Sequence, residues 1–293
     1  MHKLLALLLL SGCLAPLFAG SPAPAVTRPD PVQAGEDEEE PREESVDSWL
    51  AAGEIALDTG RYKSAKADFK KVLKEQPEHQ AAARGLAAAQ AAEGDYKPAI
   101  KTLESCLQAA GDKAERTTRV HLARLHLLLG ATEAAQPLVD ALLKADAGDL
   151  DGLLLKARLE LHAGKLEDAD KSLDALRQAV LARRNTELKI DKSKGRQPDL
   201  ADLWATAGEG YFLQNKLHEA NDCWGNALQC DEYHLRSNAW MARLYLEQNH
   251  DSSSLVNYVA PTLKHNEFAA DVHFWAARVH FFRWRGAEGM KSL

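Results

Sequence analysis

The chain is poor in several residue types, and each shortage excludes something. Only 4 of its 293 residues are cysteine and only 6% are aromatic. A small disulfide-stapled fold is therefore excluded. Alternating runs of β-branched residues are almost missing, which argues against strands, while Ala and Leu abound and favour helix. No Gly-rich phosphate loop, Gly-x-Ser-x-Gly or His-Glu-x-x-His pattern occurs, so neither catalysis nor a resident cofactor or metal is expected. His121 and His126 are five apart, and His273 and His280 seven, neither spacing being that of a zinc-binding helix. Cys106 takes a small core position. Cys223 and Cys230 are seven apart on one helix, about 10 Å at 1.5 Å per residue, too far for a disulfide.

A surplus of positive charge is also missing. The net charge is −7, and residues 36–47 alone hold eight acids against Arg42. The rest of the chain carries 35 acids and 35 bases and is neutral. Such a body has no basic face for nucleic acid, and none is expected as a partner.

The only long apolar run is N-terminal. Met1-His2-Lys3 precedes Leu4 to Leu10, and a second apolar stretch reaches Ala19. Residues 1–20 read as an export signal, too short for a confident membrane span. Leu10-Ser11-Gly12-Cys13 resembles the bacterial lipobox, in which Cys13 becomes a lipidated terminus. The competing reading is a general signal peptidase cut near Ala19-Gly20-Ser21 or at Ala23. Contact with a membrane is expected through that anchor alone. Residues 21–45 are rich in Pro and acid and read as a disordered, self-repelling tether.

What the chain does have is a period. In 46–79, Trp49, Gly53, Gly60, Tyr62, Ala65, Phe69, Leu73 and Pro77 fall at fixed places. Gly94, Tyr96, Ala99 and Leu103 follow 34 residues after Gly60, Tyr62, Ala65 and Phe69. Further copies occupy 116–149, 150–180, 201–234 and 235–268, and a partial seventh begins near Ala269. Small residues let paired helices approach, and Trp49, Tyr62, Phe69, Trp204, Tyr211 and Trp224 fill the space between. One hairpin cannot bury such a face alone, so neighbours must stack on it. Glycine at each turn suits the left-handed conformation that ends a helix.

This spacing resembles the tetratricopeptide repeat, and the resemblance covers about 46–293. It implies an all-α, right-handed superhelical solenoid of six full hairpins and part of a seventh. The expected organisation is repeats one to four over 46–180 and repeats five to seven over 201–293. Between them, 181–200 is expected to extend a helix from Leu181 to Ile190, then break into a flexible elbow, with Asp199 capping the next helix. Pro261 is expected to end or kink the last full hairpin's second helix.

The resemblance also implies a function. Members of this family hold other proteins, and exported bacterial members suggest an envelope-associated or periplasmic scaffold. The alternative is the non-catalytic repeat arm of an envelope enzyme such as a peptidase. The family's inner wall falls on Glu54, Arg84, Arg124, Arg158, His162, Glu209, Phe212 and Arg243, with Asp202 and Arg236 beside them. A row of guanidinium groups suits an acidic or C-terminal carboxylate segment, unless nearby acids already pair with it. Leu50 and Glu54 stand where chaperone-binding members need cations or amides, so that clamp is lacking. Two outliers remain. The basic stretch Arg177, Arg183, Arg184, Lys189, Lys192, Lys194 and Arg196 is either a solvated insertion or a landing place for the acidic tail. The aromatic C-terminal segment, with Phe274, Trp275, Phe281, Phe282 and Trp284, is expected to be an interface for self-association or a partner.

Overall fold

The computed structural model describes residues 45–248 and 254–282. The expected signal, Cys13, most of the tether and Trp284 lie outside the described residues, as do the side chains of Phe281 and Phe282. Among the described residues there are thirteen α-helices and no strand. They are α1 (Val46–Asp58), α2 (Tyr62–Glu75), α3 (Gln80–Ala92), α4 (Tyr96–Ala110), α5 (Arg116–Leu128), α6 (Thr132–Ala145) and α7 (Leu150–His162). Then come α8 (Leu166–Arg183), α9 (Pro198–Leu213), α10 (Leu217–Cys230), α11 (Leu235–Glu247), α12 (Ala260–His265) and α13 (Ala270–Phe282).

Local chemistry fixes the ends of these helices. The Ser45 hydroxyl accepts the Ser48 N–H while the Ser48 hydroxyl accepts the Ser45 N–H, each at 3.1 Å, a reciprocal cap on α1. Asp149 accepts the Gly152 N–H at 2.8 Å at the start of α7. The first four turns inside hairpins hold Gly60, Gly94, Gly130 and Gly164 at positive φ, and the fifth holds Asn215 at φ 59°. Asparagine is among the few other residues that tolerate this region.

Packing explains the period. The Phe69 ring is fully buried between α1 and α3. A Cβ at Gly53 would lie 2.7 Å from its edge, and one at Gly85 2.3 Å. Gly208 and Trp224 repeat the arrangement, with a Cβ 2.4 Å from the indole nitrogen. The buried clusters join neighbouring hairpins, from Tyr62–Phe69–Leu86 at one end to Ala242–Val259–Val272 at the other. Stacking of neighbours, as in a solenoid, therefore builds the core.

Three local expectations are corrected. α8 ends at Arg183 and does not continue to Ile190. The elbow is also pinned: Leu188 is 1% exposed, its carbonyl accepts Trp204 Nε1–H at 3.1 Å, and Gln197 N–H donates to Cys230 at 2.9 Å. One cluster, from Leu150 through Leu176 and Leu188 to Trp224 and Leu244, crosses the insertion without a break. Pro198 begins α9 at the position where its missing donor costs nothing, with Gln197 as the cap in place of Asp199. Pro261 does interrupt the regular helix, as expected, and lies in the first turn of α12. The five residues before α12, Leu255–Val259, widen into a π turn, a usual way to accommodate a missing bond.

The superhelix also closes on itself. Asp58, at the end of α1, accepts two bonds from the Arg196 guanidinium at 2.7 and 2.9 Å. Arg196 also grips Asp231 at 2.9 and 3.0 Å. The Nε2 of His265 lies 2.9 Å from Asp58, and its ring stacks on Tyr233 at 3.9 Å. Beside this node, Tyr62 meets Phe268 edge-on at 6.4 Å, and Asn266 reaches the Tyr62 hydroxyl at 3.4 Å. The first hairpin thus touches both the elbow and the end of the sixth repeat.

Candidate functional site

Closure leaves a cavity of about 730 Å³ along the concave face. It is bordered by α3, α5, α7, α9 and α11, the first helices of repeats two to six, with Leu103 of α4. Leu125, Leu128, Leu129, Leu154, Leu213 and Trp240 supply apolar surface, while His121, Arg124, Arg158, His162, Arg236 and Arg243 supply nitrogen donors. Leu128 and Leu129 are 39% and 45% exposed, although both are large and apolar.

The arginines are not a free row, because neighbouring repeats bring carboxylates to them. Arg84 pairs with Glu115 and donates to the Thr118 hydroxyl at 3.1 Å. Arg116 bridges Asp149 at 2.9 Å and Asp151 at 2.7 Å. Arg124 donates to Asp151 at 2.7 Å and to the Thr206 hydroxyl at 3.2 Å. Arg158 pairs with Glu209. Arg236 donates to the Asp202 carbonyl at 2.6 Å and to Thr206 at 2.9 Å, and its Nε lies 3.3 Å from Glu209. Arg243 donates to Glu247 at 2.8 Å and lies over the rings of Phe212, Trp240 and Trp275 at 4.9 to 5.7 Å.

These pairings shift the titrations. Burial works against the charged forms of Asp151 and Glu209, but the surrounding arginines outweigh it and hold both carboxyls below their usual range. Asp202 behaves alike, with Arg236, the His234 hydrogen bond and Arg124 outweighing burial. Arg236 is pulled below the ordinary guanidinium range by burial and by Arg124. His121 is pushed down to about 4, first by burial and then by Arg124. It is a neutral ring at pH 7. This wall can offer hydrogen-bond donors and apolar contact, with most of its charge already compensated.

The expected site residues separate accordingly. Arg124, Arg158, His162, Glu209 and Arg243 all border the cavity. Glu209 is only 4% exposed and serves the ion-pair network. Phe212 was expected on the inner wall, but it packs against Trp224 and Trp240 at 5.9 and 4.9 Å and is 6% exposed. Its neighbour Leu213 borders the cavity instead. Glu54 is exposed and Arg84 is tied to Glu115, and neither borders the cavity. Sequence reasoning missed Arg116, Thr206 and Trp240.

The aromatic C-terminal segment is corrected in part. Trp275 belongs to the last core cluster and is 8% exposed, while Phe274 remains at the surface. Phe268 is exposed yet touches Tyr62 of the first hairpin. Cys106, Cys223 and Cys230 are buried free thiols, and burial pushes Cys223 up to about 12, which leaves it unreactive. Among the described residues no cluster of His, Cys, Asp and Glu could hold a metal ion. No described helix is long and apolar enough to cross a membrane.

A tetratricopeptide repeat family model matches residues 56–125. No curated protein matches the chain. Among solved structures, a human IFIT1 dimer with m7Gppp-AAAA aligns with a TM-score of 0.54 and 18% identity, over 85% of this chain and 58% of that one. The thermophilic repeat protein TTC0263 of Thermus thermophilus aligns at 0.48 and 20%, over 69% of this chain and 100% of that one. The APC/C hetero-tetramer Cut9-Hcn1 aligns at 0.48 and 18%, over 79% of this chain, which spans 43% of the length of that one. With that family model on residues 56–125 and the same hairpin recurring along the described residues, the chain has the tetratricopeptide repeat fold.

Proposed function

We propose that this chain is a non-enzymatic scaffold outside the cytoplasm, which holds an extended segment of another protein in its concave cavity. The observation that carries the reading is the pair Leu128 and Leu129, exposed and apolar on the wall of a cavity of about 730 Å³. Solvated leucines in a concave, donor-lined site are what a protein segment can cover. The arginines beside them are compensated, which favours a segment that is apolar or mixed in character over a strongly acidic one. The export signal read in residues 1–20 supports a location in the envelope.

A double substitution tests this reading. Leu128→Glu with Leu129→Glu alters exposed positions and should leave the melting temperature within a few degrees. It should abolish recovery of specific partners from envelope extract. Recovery of the same partners at the same yield would overturn the cavity as the binding place.

A further inference from the structure

The wall's arginines have carboxylate partners, but the elbow carries cations that do not. Arg184, Lys189, Lys192 and Lys194 are exposed and form no ion pair among the described residues. The acids interleaved with them offset only part of that charge. Glu187 lies 3.6 Å from Arg183, and Asp191 accepts the Ser193 N–H and hydroxyl at 3.0 and 2.6 Å. Four exposed cations without an ion pair among the described residues therefore sit within eleven residues, only partly offset by Asp191, on a loop that Leu188 and Arg196 hold in place.

The matching charge lies in the same chain. Residues 36–44 carry seven acids and one base. They lead directly into α1, and the far end of α1 is bound to the elbow through Asp58 and Arg196. α1 has 13 residues, about 20 Å at 1.5 Å each. Nine extended residues reach about 30 Å. The acidic segment is thus long enough to run back beside α1 to the elbow.

We propose that residues 36–44 dock on the elbow cations of their own chain as a strap beside the Asp58–Arg196 node. Each exposed ion pair contributes little. The strap instead gains from the number of pairs and from its tether, which keeps it at an effective concentration in the millimolar range. It lies across the place where the first hairpin meets the elbow. Salt releases it, because the screening length falls from about 10 Å at 0.1 M to about 3 Å at 1 M. This inference does not depend on the cavity's being the partner site.

Zero-length carbodiimide cross-linking of the full chain, read by peptide mass spectrometry, tests it. The Lys66–Glu93 ion pair is the internal control, since the fold itself holds it. At low salt, Lys189, Lys192 and Lys194 should join the acids of 36–44 in preference to other surface lysines. These products should vanish near about 1 M salt, while the Lys66–Glu93 product persists. The variant Arg184→Glu with Asn185→Glu keeps every elbow lysine but opposes the strap, and should lower the yield about threefold or more. A mixture of isotopically light and heavy chains separates the sources: single-isotope products support the strap, and mixed products assign the contact to a second copy and overturn it. Control cross-links without tail–elbow products, tail products spread evenly over the surface, or yields unchanged in the variant would also overturn it.

Discussion

Replacing Glu209 by Gln should destabilise the protein far more than replacing a comparable surface acid. Glu209 is 4% exposed, pairs with Arg158, and lies 3.3 Å from the Nε of Arg236. Neutralising it leaves two guanidinium groups facing one another's field in a wall where burial and Arg124 already depress the Arg236 pKa. Breaking a fully buried pair costs about 3–5 kcal/mol. Arg158 is 32% exposed, and Arg236 keeps its bonds to Asp202 and Thr206, so part of that cost is relieved. About 2–3 kcal/mol remains. The control is Glu115→Gln, whose partner is Arg84 and whose side chain is 51% exposed. It should cost less than about 1 kcal/mol. Urea unfolding at pH 7, with a double-mutant cycle through Arg158→Gln, measures both. Equal losses for Glu209 and Glu115, or a Glu209 loss below about 1 kcal/mol, would refute the account of a compensated inner wall.

Gly85→Ala should cost about 1–3 kcal/mol in the same assay, because its Cβ would meet the Phe69 ring at 2.3 Å. No loss would mean that the first repeats are loosely stacked. Asp58→Ala should change global stability by less than about 1 kcal/mol, since Asp58 is 33% exposed and Arg196 keeps its bonds to Asp231. It should nevertheless raise deuterium uptake together at the α1–α2 turn and at residues 262–270, and separate responses would contradict the closure. His121 titrates in the fold at about 4, below its ordinary 6.5. A depressed histidine favours the neutral form, so the fold loses stability as pH falls from 6.5 towards 4, by up to about 3 kcal/mol. Below about pH 4 the depressed carboxyls of Asp151 and Glu209 add their own loss as they protonate. His121→Gln should remove the upper part of this pH dependence and spare the lower, as chemical unfolding at several pH values would show.

The repeat was legible because sterics writes it into neighbouring copies. Phe69 needs small residues at both Gly53 and Gly85, and such pairs recur at fixed spacing. Part of the compensated wall was legible too. Arg84–Thr118, Arg116–Asp149 and Arg236–Asp202 link residues 33 or 34 apart, close to one repeat, so a search at that spacing would find them. The closure was not legible. Asp58 and Arg196 are 138 residues apart, and their meeting depends on small rotations accumulated over the stacked hairpins. The elbow misled for a related reason. Its polar run reads as loop, and the apolar Leu188 that anchors it, with Ile190 packed against the same cluster, becomes decisive only once Trp204 is placed against it.

A photoreactive side chain separates the central claim from its rivals most directly. His162 borders the cavity, whereas Lys171 is exposed on α8 and does not border it. Introduced at His162, the probe should capture one defined segment of a partner in envelope extract, and introduced at Lys171 it should capture little. Equal capture at both positions, or capture at Lys171 alone, would contradict a scaffold that grips its partner from within.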